Sequence, residues 1–200
     1  MNRTDKLLNW IKQQHEGQLI RHTTEPYINH LMEVAELGTV IPLGYEIGLC
    51  HDLFEETETT KIDLYSALTV FGYTKQEADF ILNCTVELTD VFTKKNYPDL
   101  KKKARKAREV ARLTTISSAA QTVKYGDLIY NITWVLKHDL QHAGKYMRKK
   151  QQLLTSLKNG EQDLYRSALR IIDDAFRFLK NEKDYNSLAE PSANVKILNM

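Results

Sequence analysis

Apolar residues recur along this chain at helical spacing, and almost nothing interrupts them. Four prolines and eight glycines punctuate 200 residues. No run of alternating Val, Ile or Thr is bounded by hairpin turns, so strand signals are scarce. The pattern predicts an all-α chain. Helices are expected over about 5–14, from after Pro26 to before Gly38, over 44–56, over 61–71, and from a capping box at Thr74-Lys75-Gln76-Glu77 onward. A loop should follow over 89–98, then a basic helix to about Arg112, a helix over 118–136, and two helices flanking Gly160. The stretch 44–56 is apolar on most sides (Tyr45, Ile47, Leu49, Cys50, Leu53, Phe54) and should form one central buried helix.

With 42% hydrophobic residues, the chain can build the core of one domain, expected over 1–182, with a flexible tail over 183–200. A net charge of +2 is too small to imply nucleic acid by itself. Cys50 and Cys84 have no motif spacing and read as reduced, buried, small apolar residues. No stretch approaches a membrane span, and the N-terminus has no secretory core, so a cytoplasmic protein is expected.

His51-Asp52 stands inside that apolar stretch. A charged pair there is costly unless it is paired or coordinated. Adjacent helical positions lie about 100° apart, so both side chains can converge on one ion at the helix edge. Glu55 follows His51 at i+4, and Glu56 follows Asp52 at i+4. Ionised together without a cation, these groups would repel; a bound cation resolves that. His30, read as closing the second helix, and Asp127, in the apolar helix Val123–Asn131, supply two further ligands. Imidazole with carboxylate suits Mn²⁺, Fe²⁺ or Zn²⁺. One buried histidine is ordinarily a satisfied core residue, and a His-Asp pair recurs by chance; the combination is what points to a metal. His15, His22, His138 and His142 read as residues on the surface or behind the ligands.

These residues fall in three segments: Pro26-Tyr-Ile-Asn-His30, His51-Asp-Leu-Phe-Glu-Glu-Thr57 and Val123-Lys-Tyr-Gly-Asp127-Leu-Ile-Tyr-Asn131. Together they resemble the HD-domain phosphohydrolases, and among those the hydrolase domain of RelA/SpoT-type proteins and the stand-alone small alarmone hydrolases like the metazoan SpoT homologue. Leu88-Thr89-Asp90 fits the same family. The resemblance spans about residues 10–155. It implies an all-α HD-domain helical bundle, and His30, His51, Asp52 and Asp127 as ligands of a divalent cation, usually Mn²⁺. It implies Glu55 and Glu56 as the pair that activates water, with Asn131 and Arg21 contacting substrate. The implied reaction converts ppGpp to GDP and pyrophosphate. The chain departs from the family in having Glu56 where aspartate is usual, a single basic residue at Ile20-Arg21, and Leu31 after His30. No synthetase domain is expected to follow.

From Lys94 to Arg112 there are nine Lys or Arg and two acids. Such a run is ordinarily a solvated helix face. The family's substrate-contacting basic residues fall in this region, which puts Lys102 and Arg105, with Lys124, toward substrate. Few aromatics interleave the run, so DNA or RNA binding is disfavoured. The stripes Leu153–Leu157 and Leu164–Leu179 read as core, with a homodimer seam as the alternative. Trp134 and Tyr146 read as packing, with base stacking as the alternative. Competing functions are a broader phosphatase of nucleoside monophosphates or NADPH, and a non-catalytic nucleotide-binding module.

Overall fold

The computed structural model describes residues 1–189, and side chains over 1–182. Its helices are α1 (Arg3–Gln14), α2 (Ile28–Gly38), α3 (Gly44–Cys50), α4 (Leu53–Glu56), α5 (Lys61–Phe71), α6 (Lys75–Leu88), α7 (Lys102–Leu113), α8 (Ser118–His138), α9 (Leu140–Ser156) and α10 (Gln162–Ala189). No strand occurs among the described residues; an isolated bridge joins Leu19 to Pro26. The tail expected over 183–200 falls partly on α10, and residues 190–200 lie outside the described residues.

Capping chemistry sets several helix starts. Asn2 with Asp5, Thr60 with Asp63 and Thr74 with Glu77 form capping boxes at α1, α5 and α6. Each satisfies two orphan donors, and losing such a cap costs about 1 kcal/mol. The capping Glu77 also pairs with Arg3 at 2.8 Å, which ties α1 to α6.

At the centre, α2 and α8 pack against α3, while α9 and α10 close over α8. Two glycines set how near α2, α3 and α8 come. A Cβ on Gly48 would lie 2.5 Å from the Ala35 Cα, and one on Gly126 would lie 3.2 Å from the Leu37 Cβ and 3.4 Å from the Val34 carbonyl oxygen. Backbones this close leave no room for a side chain between them. Leu31, Val34, Ile47, Leu49, Leu128 and Ile132 are fully buried around this junction. The stripes on α9 and α10 are core too, with Leu154, Leu157, Ala168 and Ile172 fully buried. Cys50 and Cys84 are free and buried.

The single helix expected over 44–56 is two. α3 ends at Cys50 and α4 begins at Leu53. The break lies at Asp52, whose backbone (φ −103°, ψ 3°) leaves the helical region. Apolar patterning is continuous across this point, which is why the periodicity conceals it.

Candidate metal centre

Three helices meet beside these close approaches, and each brings polar groups to the junction. His30 lies in the first turn of α2, not at its end as the sequence suggested. His51 caps α3, Asp52 sits in the break, and Asp127 lies midway along α8. His30 Nε2 is 3.3 Å from Asp52 Oδ2 and 3.8 Å from Asp127 Oδ1. His51 Nε2 is 3.1 Å from Asp52 Oδ2 and 3.9 Å from Asp127 Oδ1. Atoms bound to one small divalent cation at about 2.0–2.2 Å lie about 3–3.6 Å from one another, close to these separations.

The tautomer of His51 fits the same purpose. Its Nδ1 donates to the Gly48 carbonyl at 2.7 Å, which leaves Nε2 as the lone-pair nitrogen. That Nε2 is buried and has no hydrogen-bond partner among the described residues. An unpaired buried acceptor facing two carboxylates is costly unless a cation completes the site. His30, His51 and Asp127 can reach one ion, and Asp52 borders both imidazoles.

Neighbouring groups orient these side chains. Tyr27 Oη donates to Asp52 Oδ2 at 2.6 Å. His15 is buried and stacks on the Tyr27 ring at 5.4 Å, so it stands behind the site rather than on the surface. Lys124 Nζ holds Asp127 Oδ2 at 2.7 Å, and the Asn131 amide donates to the Asp127 carbonyl at 2.9 Å and to Oδ1. Burial alone would raise the Asp127 carboxyl, yet Lys124 and then His51 hold it at about 2. Burial also opposes charge on His51, but Asp52 and its neighbours outweigh it and lift the imidazole to about 9, so Nε2 holds either a proton or, in its place, a cation. Asp52 in turn is held well below the usual carboxylate range, chiefly by His51 against the cost of burial.

Glu55 and Glu56 stand on α4 just past the break. Glu55 Oε1 accepts the Asp90 backbone N–H at 2.7 Å. Protein packed around this carboxyl, then the nearby Asp90 carboxylate, pushes it up to about 7. The Glu56 carboxyl is also raised, by burial first and then by Asp52.

A cavity of about 380 Å³ opens over His30, Asp52 and Asp127. Arg21, Tyr130, Asn131, Trp134, Asp139 and Tyr146 line its remainder. Trp134 and Tyr146 thus border open space instead of serving only as packing. Asn131 borders the cavity while its amide serves Asp127. Lys102 and Arg105 do not line it: Lys102 is exposed on α7, and the Arg105 guanidinium donates to the Leu100 carbonyl. The contribution of α7 here is acidic. Buried Glu109 accepts the Val91 and Phe92 N–H groups at 3.0 and 2.8 Å, fixing the loop that carries Asp90.

Tyr27 precedes His30 by one helical turn in Pro26-Tyr-Ile-Asn-His30, yet nothing in the sequence marks it as the residue that orients Asp52. Lys150 on α9, whose Nζ lies 5.1 Å over the Tyr146 ring, is equally unmarked. In Arg148-Lys149-Lys150 nothing marks one lysine from the next.

No protein-family model and no curated protein sequence matches the chain. Its fold is similar to a solved structure described as a metazoan ortholog of SpoT that hydrolyzes ppGpp and plays a role in starvation responses. The TM-score is 0.70 at 18% identity, covering 88% of this chain and 95% of that one. The likeness is one of fold, and it agrees with the all-α helical architecture expected from the sequence. Among the described residues, no helix is long and apolar enough to cross a membrane.

Proposed function

We propose that the chain is a divalent-metal phosphohydrolase, with His30, His51, Asp52 and Asp127 as metal ligands, that removes the 3′-pyrophosphate of ppGpp. One observation carries the reading. Two imidazole nitrogens and two carboxylate oxygens from three helices converge within 3.9 Å between each histidine and each aspartate. When bound, a divalent cation, Mn²⁺ first, would supply a Lewis acid that withdraws charge from the phosphoryl group and acidifies water.

The chain's own residues account for the remaining work. Water attacks the phosphorus joined to the 3′ oxygen, and Glu55 takes its proton. A carboxyl near 7 is matched to proton transfer at neutral pH. The bond from phosphorus to the 3′ oxygen breaks, the freed oxygen takes up a proton, and pyrophosphate leaves GDP behind. Glu56, one residue on, supports the same step. Lys124 keeps Asp127 ionised and aimed by holding its outer oxygen. Arg21 and Asn131 would contact the nucleoside, a role supported by their position on the cavity wall. The ppGpp hydrolysis of the fold neighbour and the three sequence segments support this substrate over other nucleotides.

The test is turnover of ppGpp, NADPH and nucleoside monophosphates in Mn²⁺ buffer by the wild type and Asp127→Ala. Release of pyrophosphate from ppGpp by the wild type alone is expected, with the variant still folded by circular dichroism. Equal turnover by the variant overturns the ligand assignment. Turnover of only the other nucleotides overturns the substrate.

A further inference from the structure

Lys150 lies one helical turn beyond Tyr146 on α9, and its side chain is largely covered. Its Nζ sits 5.1 Å over the Tyr146 ring, and that ring lines the cavity above the candidate metal centre. A cation over an aromatic face gains modest attraction, and the ring fixes where the amine sits. Among the described residues, Lys150 forms no ion pair with a carboxylate, whereas Lys124 has Asp127 at 2.7 Å. A covered ammonium without a counter-ion costs free energy, and a second ammonium nearby adds to it. Burial first, and then the charge of Lys124, draw the Lys150 amine down to about 8; Lys106 of α7 acts in the same direction. Asp127 and Asp90 act against this but do not outweigh it.

The chain therefore maintains a half-covered positive charge with no ion-pair partner among the described residues, over a ring that lines the cavity above the candidate metal centre. A metal ion there would make the surroundings more positive still. A polyanion would balance these charges. Exposed lysines on α7 do not provide such a position, because they stand in water without a wall against them.

We propose that Lys150 is a phosphate-binding residue, its ammonium taking up the pyrophosphate group beside the metal centre while Tyr146 holds the amine in place. The proposal rests on the phosphohydrolase reading above for the identity of the anion. Pyrophosphate carries several negative oxygens, and N⁺–H···O⁻ hydrogen bonds are about twice as strong as neutral ones. Bound there, the anion is the counter-ion that Lys150 lacks.

The experiment uses inorganic pyrophosphate, titrated calorimetrically into the full chain in Mn²⁺ buffer. Wild type, Lys150→Met, Lys150→Arg and Lys149→Met are compared. Methionine keeps the length of the side chain and has no charge to desolvate, so Lys150→Met should melt at or above the wild-type temperature. Its pyrophosphate affinity should fall about ten- to hundredfold, the weight of a hydrogen bond to a charged group. Lys150→Arg should stay within about threefold of the wild type, since it restores the cation. Lys149→Met removes an exposed charge from the same helix and should bind as the wild type does. Unchanged affinity in Lys150→Met overturns the proposal. So does an equal loss in Lys149→Met, which would reflect net charge alone, or an absence of pyrophosphate binding by the wild type. If the expected pattern appears but ppGpp is not hydrolysed, Lys150 stands and the alarmone reading fails.

Discussion

Gly48→Ala probes the junction on which the site depends. The new Cβ would lie 2.5 Å from the Ala35 Cα, 2.7 Å from the Ala35 nitrogen and 3.0 Å from the Val34 carbonyl carbon. Comfortable carbon–carbon separations are about 3.5–4.0 Å, so α3 must retreat from α2 by roughly 1 Å. The opposing atoms are backbone and cannot rotate away. Overpacking of this kind costs about 1–3 kcal/mol or more. Alanine recovers up to about 1 kcal/mol through its helix propensity, so a net loss of about 1–2 kcal/mol is expected. For a chain of this size that lowers Tm by roughly 2–8 °C. The site should suffer more than the fold. His51 hangs from the Gly48 carbonyl, while His30 rides on α2, which carries Ala35. A metal site tolerates only about 0.2 Å of error in its ligand distances, so Mn²⁺ affinity should drop at least tenfold. Thermal unfolding followed by circular dichroism measures the first effect, and calorimetric titration with Mn²⁺ the second. A variant that melts and binds Mn²⁺ like the wild type would show that the approach of α2 to α3 does not set the ligand geometry.

Two further predictions concern the groups around the ligands. Tyr27→Phe removes the hydroxyl that orients Asp52 at 2.6 Å, and should weaken Mn²⁺ binding about ten- to hundredfold without lowering Tm beyond about 4 °C; unchanged affinity would remove Tyr27 from the site. Glu55 accepts a proton only when ionised, so ppGpp turnover should fall as pH drops through about 7. Glu55→Gln should erase that limb and cut the rate by about 10²–10⁴; an identical pH profile in the variant would exclude Glu55 as the proton acceptor.

The helices were legible because apolar spacing and capping boxes are local signals, as at Thr74-x-x-Glu77. His30, His51, Asp52 and Asp127 stood out for the opposite reason, as polar groups in apolar surroundings. The break at Asp52 was hidden, since His51 and Asp52 interrupt neither the length nor the spacing of the apolar pattern. The basic segment was misleading about position. By composition it reads as a solvated face and only the resemblance turned Lys102 and Arg105 toward substrate, but the cavity is walled by α8, by the start of α9 and by the turn before α2. Lys150 was invisible, because its distinction from Lys149 is a matter of burial, which depends on how α9 lies against α8.

Glu55 has a second attachment besides α4. Its carboxylate is tied to the Asp90 backbone, and the residues just after Asp90 are tied to Glu109 of α7. In the mechanism proposed above, the proton acceptor and the surface loop are thus one mechanical unit. Insertions, deletions or grafts between Val91 and Lys101 would reach the acid–base group without altering any side chain that touches substrate, so variation there can tune the rate while the ligand set stays intact.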